Sequence, residues 1–285
     1  PDNALRHWGE ALHVRPQLGD RLYPTMLRMA QNPLMWPAFS GALANGRRWW
    51  TSFIRYVAAN SESTETLRAL YHLRQQGGVV ADAQERQAFL ARLQREGRWL
   101  DAYFAWLNSL GPPQLAMLGH VYNGSFEVPI ANEGFDWHTP KIQGVVVEIV
   151  PTYGATGAKA LHVVFQGGRV RFQHVYQFLL LDPGRYRFQG RARLESLETE
   201  KGLQWAVRCA AKDELLAGSE RFLGSDQWRH FGMEFAVPSE GCEAQVLRLE
   251  LAGQLEFELQ AKGAAWFDDL TILWLDDVRT AEYTE

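Results

Sequence analysis

The sequence predicts an α+β multidomain chain, with an N-terminal α-helical domain followed by a C-terminal antiparallel β-sandwich. Three observations predict it. From Asp2 to about Leu118 the apolar residues recur at helical spacing. After Gly119 the period switches to two. At least eight alternating segments then follow one another, separated by turn signals and with no helix between them. A length of 285 residues suits two domains better than one. The expected boundaries are 1–118 for the helical domain, 119–278 for the sandwich and 279–285 for a C-terminal tail.

Ala4, Leu5, Trp8, Ala11 and Leu12 share one face of a first helix. It should end near Val14, because the residue before Pro16 is pushed out of the α region. A second helix is expected over Leu18 to Ala30, stopped by Asn32-Pro33. A third runs through Leu43 to Asn45-Gly46. The segment "RRWWTSFIRYVAAN" (47–60) makes a fourth, burying Trp49, Trp50, Phe53, Ile54 and Val57. Hydroxyls and acids at Ser61 to Glu65 start a fifth, which Gly77-Gly78 ends. Asp82 caps a sixth, and "GRWLDAYFAWLNSLGPP" (97–113) closes a seventh. The segments "LRHWGEALHVRP" (5–16) and "FLARLQREGRWLDAYFAWLNSL" (89–110) resemble tetratricopeptide-type αα-hairpins, with Trp99, Ala102 and Trp106 on the packing face.

Strands are expected at 145–151, 159–166, 175–181, 184–197, 203–210, 228–238, 244–252 and 264–275. Gly154 to Gly157, Gly167-Gly168, Asp182-Pro183-Gly184, Gly224 to Asp226 and Ser239 to Gly241 punctuate them. Between the two halves, "YNGSFEVP" (122–129) reads as a turn that feeds Phe126 into the sandwich core, with Pro129 ending a first strand.

A net charge of −4 provides no global basic field for nucleic acid. No run is apolar enough to cross a bilayer. Pro1 in place of Met leads us to expect the natural start upstream. Cys209 and Cys242 are compatible with one disulfide or two buried thiols, and their spacing is not that of a metal site. No G-x-S-x-G, H-E-x-x-H, phosphate loop or nucleotide fingerprint occurs. Asp268 and Asp269, adjacent on a strand, should face opposite ways and so not form a catalytic pair.

The ordered signals of the second half are N-G-S-F-E (123–127), Trp137, G-x-K-A-L (157–161), "LDPGRYRFQGRAR" (181–193), a strand led by Trp228 ending "FAVP", and "WFDDLTIL" (266–273). This set resembles the jelly-roll carbohydrate-binding modules of the group that includes families four, nine and twenty-two, over about residues 121–276. The resemblance implies a structural calcium between Glu127 and Asp268. Trp266, Asp268, Leu270 and Ile272 are expected on one inward face, and an inward carboxylate needs a partner. A cation, an arginine or a backbone amide would each serve.

Alternation along "YRFQGRAR" (186–193) turns Arg187, Gln189, Arg191 and Arg193 away from the core. The next strand turns Gln204 and Arg208 outward. If both strands share one sheet face, guanidiniums and amides converge there and suit an acidic polysaccharide. The alternative is a solvated face whose arginines pair with Glu195, Glu198 or Glu234. His162, Gln166, His174 and Tyr176 extend the same expected face. At Arg191 the resembling family commonly has an aromatic. The expected protein is non-catalytic. It would bind polysaccharide through the sandwich and protein through the helices, in a secreted, periplasmic or bacterial envelope setting such as exopolysaccharide assembly. A protein scaffold without sugar binding is the alternative, and a glycan-active enzyme the third reading.

Overall fold

A computed structural model describes residues 2–43, 47–76, 80–253 and 255–275. The expected stops at Asn45-Gly46 and Gly77-Gly78 and the tail at 279–285 lie outside the described residues. The chain divides into two compact units, Pro1–Trp106 and Leu107–Glu285.

The first unit is helical, as the 3.6-residue pattern requires. Its elements are α1 (Asp2–Val14), α2 (Gly19–Ala30), α3 (Trp36–Leu43), α4 (Arg47–Asn60), α5 (Thr64–Gln76), α6 (Ala83–Arg95) and α7 (Trp99–Leu107). A short α8 (Pro112–Leu115) follows, in the stretch expected only to end the seventh helix. Asp82 caps α6 by accepting the Glu85 N–H at 2.9 Å. Trp50, Phe53, Ile54 and Val57 of α4 are fully buried, and Phe39 stacks on Phe53 at 5.8 Å. The buried pair Arg74–Glu85, 2.6 Å apart, ties α5 to α6, and the Thr51 hydroxyl of α4 donates to Glu85 at 2.7 Å. Burial raises the Glu85 pKa, with Thr51 and Arg74 opposing that shift. Helices pack on neighbours (α4 with α5, α5 with α6) and on next-but-one helices (α1 with α3, α4 with α6). Their lengths run from 8 to 14 residues, so no regular tetratricopeptide-like repeat is established.

The second unit is an antiparallel sandwich. Its strands are β1 (Val145–Pro151), β2 (Lys159–Arg169), β3 (Val175–Leu179), β4 (Gly184–Thr199), β5 (Leu203–Cys209), β6 (Glu214–Gly218), β7 (Gly224–Val237), β8 (Gln245–Leu251) and β9 (Gln260–Trp274). One sheet has the order β1-β2-β9-β4-β7 and the other β3-β8-β5-β6. Trp205, Phe188, Phe267, Phe222 and Phe126 fill the space between them and are fully buried. Eight of the nine strands were expected. β6 was not, because its short segment is largely exposed and does not alternate cleanly.

The structure corrects four expectations. First, β4 and β5 do not share a face. β4, with Arg187, Gln189, Arg191 and Arg193, lies in the five-stranded sheet, whereas Gln204 and Arg208 lie on β5 of the other. Both sets point away from the core, and therefore away from each other.

Second, Trp266 does not share a face with Leu270 and Ile272. The β4–β9 register shifts between Gln189 and Arg191, and Asp269 adopts φ 56°. This bulge reverses the alternation, so that Ala265 and Phe267 point inward before it and Leu270 and Ile272 after it. Third, Asp268 and Asp269 do not point apart, since both carboxylates bond Thr156.

Fourth, Tyr122 to Pro129 form no strand. Asn123 (φ 49°) and Phe126 (φ 57°) are left-handed, and the Asn123 amide bonds both backbone groups of Val128. Phe126 does enter the core, against Trp137 at 5.4 Å. Gly124 donates no side chain here for a reason: a Cβ would lie 1.9 Å from the Leu270 carbonyl oxygen.

Cys209 and Cys242 form a disulfide, joining the end of β5 to the segment that leads into β8. With the cysteines 33 positions apart in sequence, loss of the cross-link is expected to cost about 3–4 kcal/mol. Denaturant unfolding of the Cys209→Ser/Cys242→Ser double variant checks this; a midpoint equal to that of the unmodified chain would contradict it.

Candidate functional site

The outer face of the four-stranded sheet gathers side chains from β3, β8 and β5. The register places Arg248 between Tyr176 and Ala206, Val246 between Phe178 and Arg208, and Glu250 beside Gln204. Strand alternation dictates this set, because Val175, Leu179, Leu247, Leu249, Trp205 and Val207 occupy the inward positions.

Glu250 is the hub. It accepts from Arg208 Nη2 at 2.8 Å and Nε at 3.2 Å, from Arg248 Nε at 2.8 Å and from Gln204 Nε2 at 3.1 Å. Asp213 reaches in from the β5–β6 turn, where its φ is 52°, and lies 3.1 Å from Arg248 Nη1. The Asp213 carbonyl accepts from Arg208 Nη1 at 2.9 Å. Burial works against the Arg208 charge, but the hydrogen bond and charge of Glu250, with Asp213, outweigh it and raise the Arg208 pKa. Two guanidiniums face two carboxylates, so the formal charge of the cluster is zero.

One edge of the face is aromatic. His138 exchanges backbone hydrogen bonds with Tyr176, at 2.7 and 3.1 Å, which extends the sheet by one residue. Its ring stacks on Tyr176 at 4.8 Å and meets Phe178 edge-on at 5.7 Å. Burial lowers the His138 pKa, the Gly134 carbonyl opposing, so the ring is neutral at neutral pH. All three rings are half-buried. His138 is held by the 131–137 loop, whose Asp136 accepts from the Ala131 and Trp137 N–H groups. Burial pushes the Asp136 pKa up to about 6, with the Glu133 charge adding to the shift.

The outer face of the five-stranded sheet is different. Arg187 pairs with Glu234 at 2.6 Å, and Arg185 with the same carboxylate at 3.4 Å. Arg193 lies over the Trp266 ring at 4.5 Å and near Glu195 at 3.7 Å, while His162 stacks on the same indole at 4.3 Å. Gln189 sits between Gly232 and Thr271, and Gln166 opposite Lys262. His174 precedes β3, its Nδ1 accepting from the Gln173 N–H. Arg191 bonds Thr156 Oγ1 at 2.9 Å and the Gly154 carbonyl at 3.0 Å. Of the six expected ligand residues, only Gln204 and Arg208 meet. Sequence reasoning missed Arg248, Glu250, Phe178 and His138. The alternation of "VLRLEL" (246–251) carries the signal for Arg248 and Glu250.

Glu127 and Asp268 do address one loop, 152–158. Glu127 Oε1 accepts the Ala158 and Lys159 N–H groups at 2.8 and 3.0 Å. Asp268 accepts the Thr156 and Asp269 N–H groups, both at 2.8 Å. Asp268 is wholly buried, which raises its pKa, while those two N–H groups oppose the shift. Among the described residues, no group of three or more His, Cys, Asp and Glu side chains is arranged to hold a metal. Both carboxylates thus face amide protons, the partner that stood open beside a cation and an arginine.

No family model matches the chain, and no curated protein matches it in sequence. Solved structures similar to it include a CBM4 structure, with 16% identity over 54% of this chain and 99% of that one at a TM-score of 0.41. TmCBM61, in complex with β-1,4-galactotriose, has 16% identity over 55% of this chain and 99% of that one at a TM-score of 0.35. The C-terminal family 22 carbohydrate binding module of Clostridium thermocellum Xyn10B has 14% identity over 55% and 94%, at a TM-score of 0.35.

Asp136 makes stability depend on pH with a definite sign. Its folded pKa of about 6 exceeds its ordinary value of 3.8, so the stabilisation is full below about pH 3.8 and lost as pH rises through 6. That displacement corresponds to about 3 kcal/mol. The stability of the unmodified chain relative to Asp136→Asn should fall by this amount between pH 4 and pH 7; a difference independent of pH would contradict it.

Proposed function

We propose that the sandwich unit is a non-catalytic glycan-binding module whose ligand lies on the outer face of the four-stranded sheet. One observation carries the reading. The half-buried rings of His138, Tyr176 and Phe178 border a polar cluster of Gln204, Arg208, Arg248 and Glu250 on a single sheet face. Flat apolar edges stack on sugar rings, and adjacent donors and acceptors bind their hydroxyls. The zero formal charge of the cluster favours a neutral polysaccharide over the acidic one expected from the arginines alone.

A hydrolase would need a carboxyl set in apolar surroundings to act as acid, with a second carboxylate nearby. On this face Glu250 and Asp213 are instead both engaged by guanidiniums, and the raised Asp136 carboxyl is buried and taken up by the Ala131 and Trp137 N–H groups of its own loop. The buried disulfide supports an oxidising compartment outside the cytosol, consistent with a role in a bacterial envelope or in exopolysaccharide assembly. The helical unit would then supply the contact to a protein partner. A second reading, a scaffold without sugar binding, is favoured by one feature: Gln204 and Glu250 are already satisfied by each other and nine-tenths buried.

A glycan array of neutral and acidic polysaccharides, followed by calorimetry, tests these readings. Tyr176→Ala is expected to weaken neutral-glycan binding by about three- to tenfold, the loss of one ring contact. Arg187→Ala, on the opposite sheet, should leave it unchanged. Binding to no glycan, together with capture of an envelope protein, would overturn the first reading in favour of the second.

A further inference from the structure

The loop between β1 and β2, residues 152–158, forms a strap over the outer face of the five-stranded sheet. It is held by side chains of β9 (Asp268, Asp269), β4 (Arg191) and β7 (Trp228). Its glycines are required by close approach. At Gly154, φ is 83° and a Cβ would lie 2.8 Å from the Trp228 ring. At Gly157 a Cβ would lie 2.2 Å from Glu127 Oε1.

We infer that the Arg191 guanidinium, rather than a divalent cation, pins this strap to the sheet. The strap presents oxygens and amide protons, and the two kinds of group are sorted to different partners. Apart from the Thr152 and Ala155 N–H groups, which bond carbonyls within the strap, the amide protons held here go to carboxylates: Thr156 N–H to Asp268, and the N–H groups of Ala158 and of the adjoining Lys159 to Glu127.

Two of its oxygens, Thr156 Oγ1 and the Gly154 carbonyl, go to Arg191. Nη1 donates to Thr156 Oγ1 at 2.9 Å, Nη2 donates to the Gly154 carbonyl at 3.0 Å, and the Asp269 carboxylate lies 3.7 Å from Nη1. A carbonyl, a hydroxyl and a carboxylate are the oxygen types that a hard cation collects. Here a planar, permanently charged fork collects them, its central carbon Cζ 5.1 Å from the centre of the Trp228 indole. The Trp228 Nε1–H in turn donates to the Tyr153 carbonyl at 3.1 Å, and Lys159 Nζ donates to the Glu127 carbonyl at 3.1 Å. A tethered cation is present at every calcium concentration, so the strap's stability carries no calcium dependence.

Thermal melts of the full chain in millimolar calcium and in excess EDTA should give the same midpoint. Arg191→Ala should lower it by about 2–4 °C and speed amide exchange at Thr156 and Ala158. Arg191→Lys, which keeps the charge but not the fork, should restore part of both. A midpoint of the unmodified chain that rises with calcium would overturn the inference, and that measurement stands even where Arg191→Ala fails to fold. An Arg191→Ala variant with unchanged midpoint and exchange would overturn it as well.

Discussion

The sandwich depends on Trp205. Its indole, fully buried on β5, meets Phe188 of β4 at 5.8 Å, Phe267 of β9 at 5.4 Å and Trp137 of the preceding loop at 5.7 Å. One side chain thus bridges both sheets and the segment that delivers His138. Edge-to-face aromatic packing at these distances is directional. Because side chains alternate along a strand, turning Trp205 inward commits Gln204, Ala206 and Arg208 to the outside. Turning Phe188 inward commits Arg187 and Gln189 to the outside of the other sheet. The location of the candidate ligand face follows from this seam before any polar contact is considered.

Each outer face resolves its charges differently. On the five-stranded sheet, guanidiniums meet single carboxylates, indole rings or the strap, and the pairs of Arg185 and Arg187 with Glu234 are well exposed. Pairs of that kind contribute little to stability. On the four-stranded sheet one buried carboxylate is shared by two arginines, with the Glu250 side chain 8% exposed and those of Arg208 and Arg248 19% and 14%. Removing the shared partner from such a cluster would leave two largely buried guanidiniums with only the exposed Asp213 to offset them, which is costly. The cluster is therefore rigid, and rigidity of polar groups beside half-buried rings is what recognition of a polyhydroxylated ligand requires.

Much of this was legible in the sequence. The switch from a 3.6-residue period to a two-residue period marks the change from helices to strands, and alternation along "YRFQGRAR" and "LQWAVRCA" separates inward from outward side chains. What alternation does not encode is sheet membership. Two consecutive strands of identical pattern can pair or can cross between sheets, and β4 and β5 cross. The bulge at Asp268-Asp269 was hidden for a related reason, since one left-handed residue inverts the pattern without changing the composition. The partners of Glu127 in the structure are backbone amides, a class of partner that side-chain identities do not reveal.

The proposed ligand face belongs to the four-stranded sheet. Chemical-shift mapping of the isotope-labelled full chain, titrated with a neutral oligosaccharide drawn from the array, tests it most directly. The account predicts that perturbed signals cluster at His138, Tyr176, Phe178, Ala206 and the Nε–H groups of Arg208 and Arg248. Arg187, Gln189 and Arg193 should remain unmoved. Perturbations centred on those β4 residues and on Trp266, with β3 and β8 silent, would contradict it.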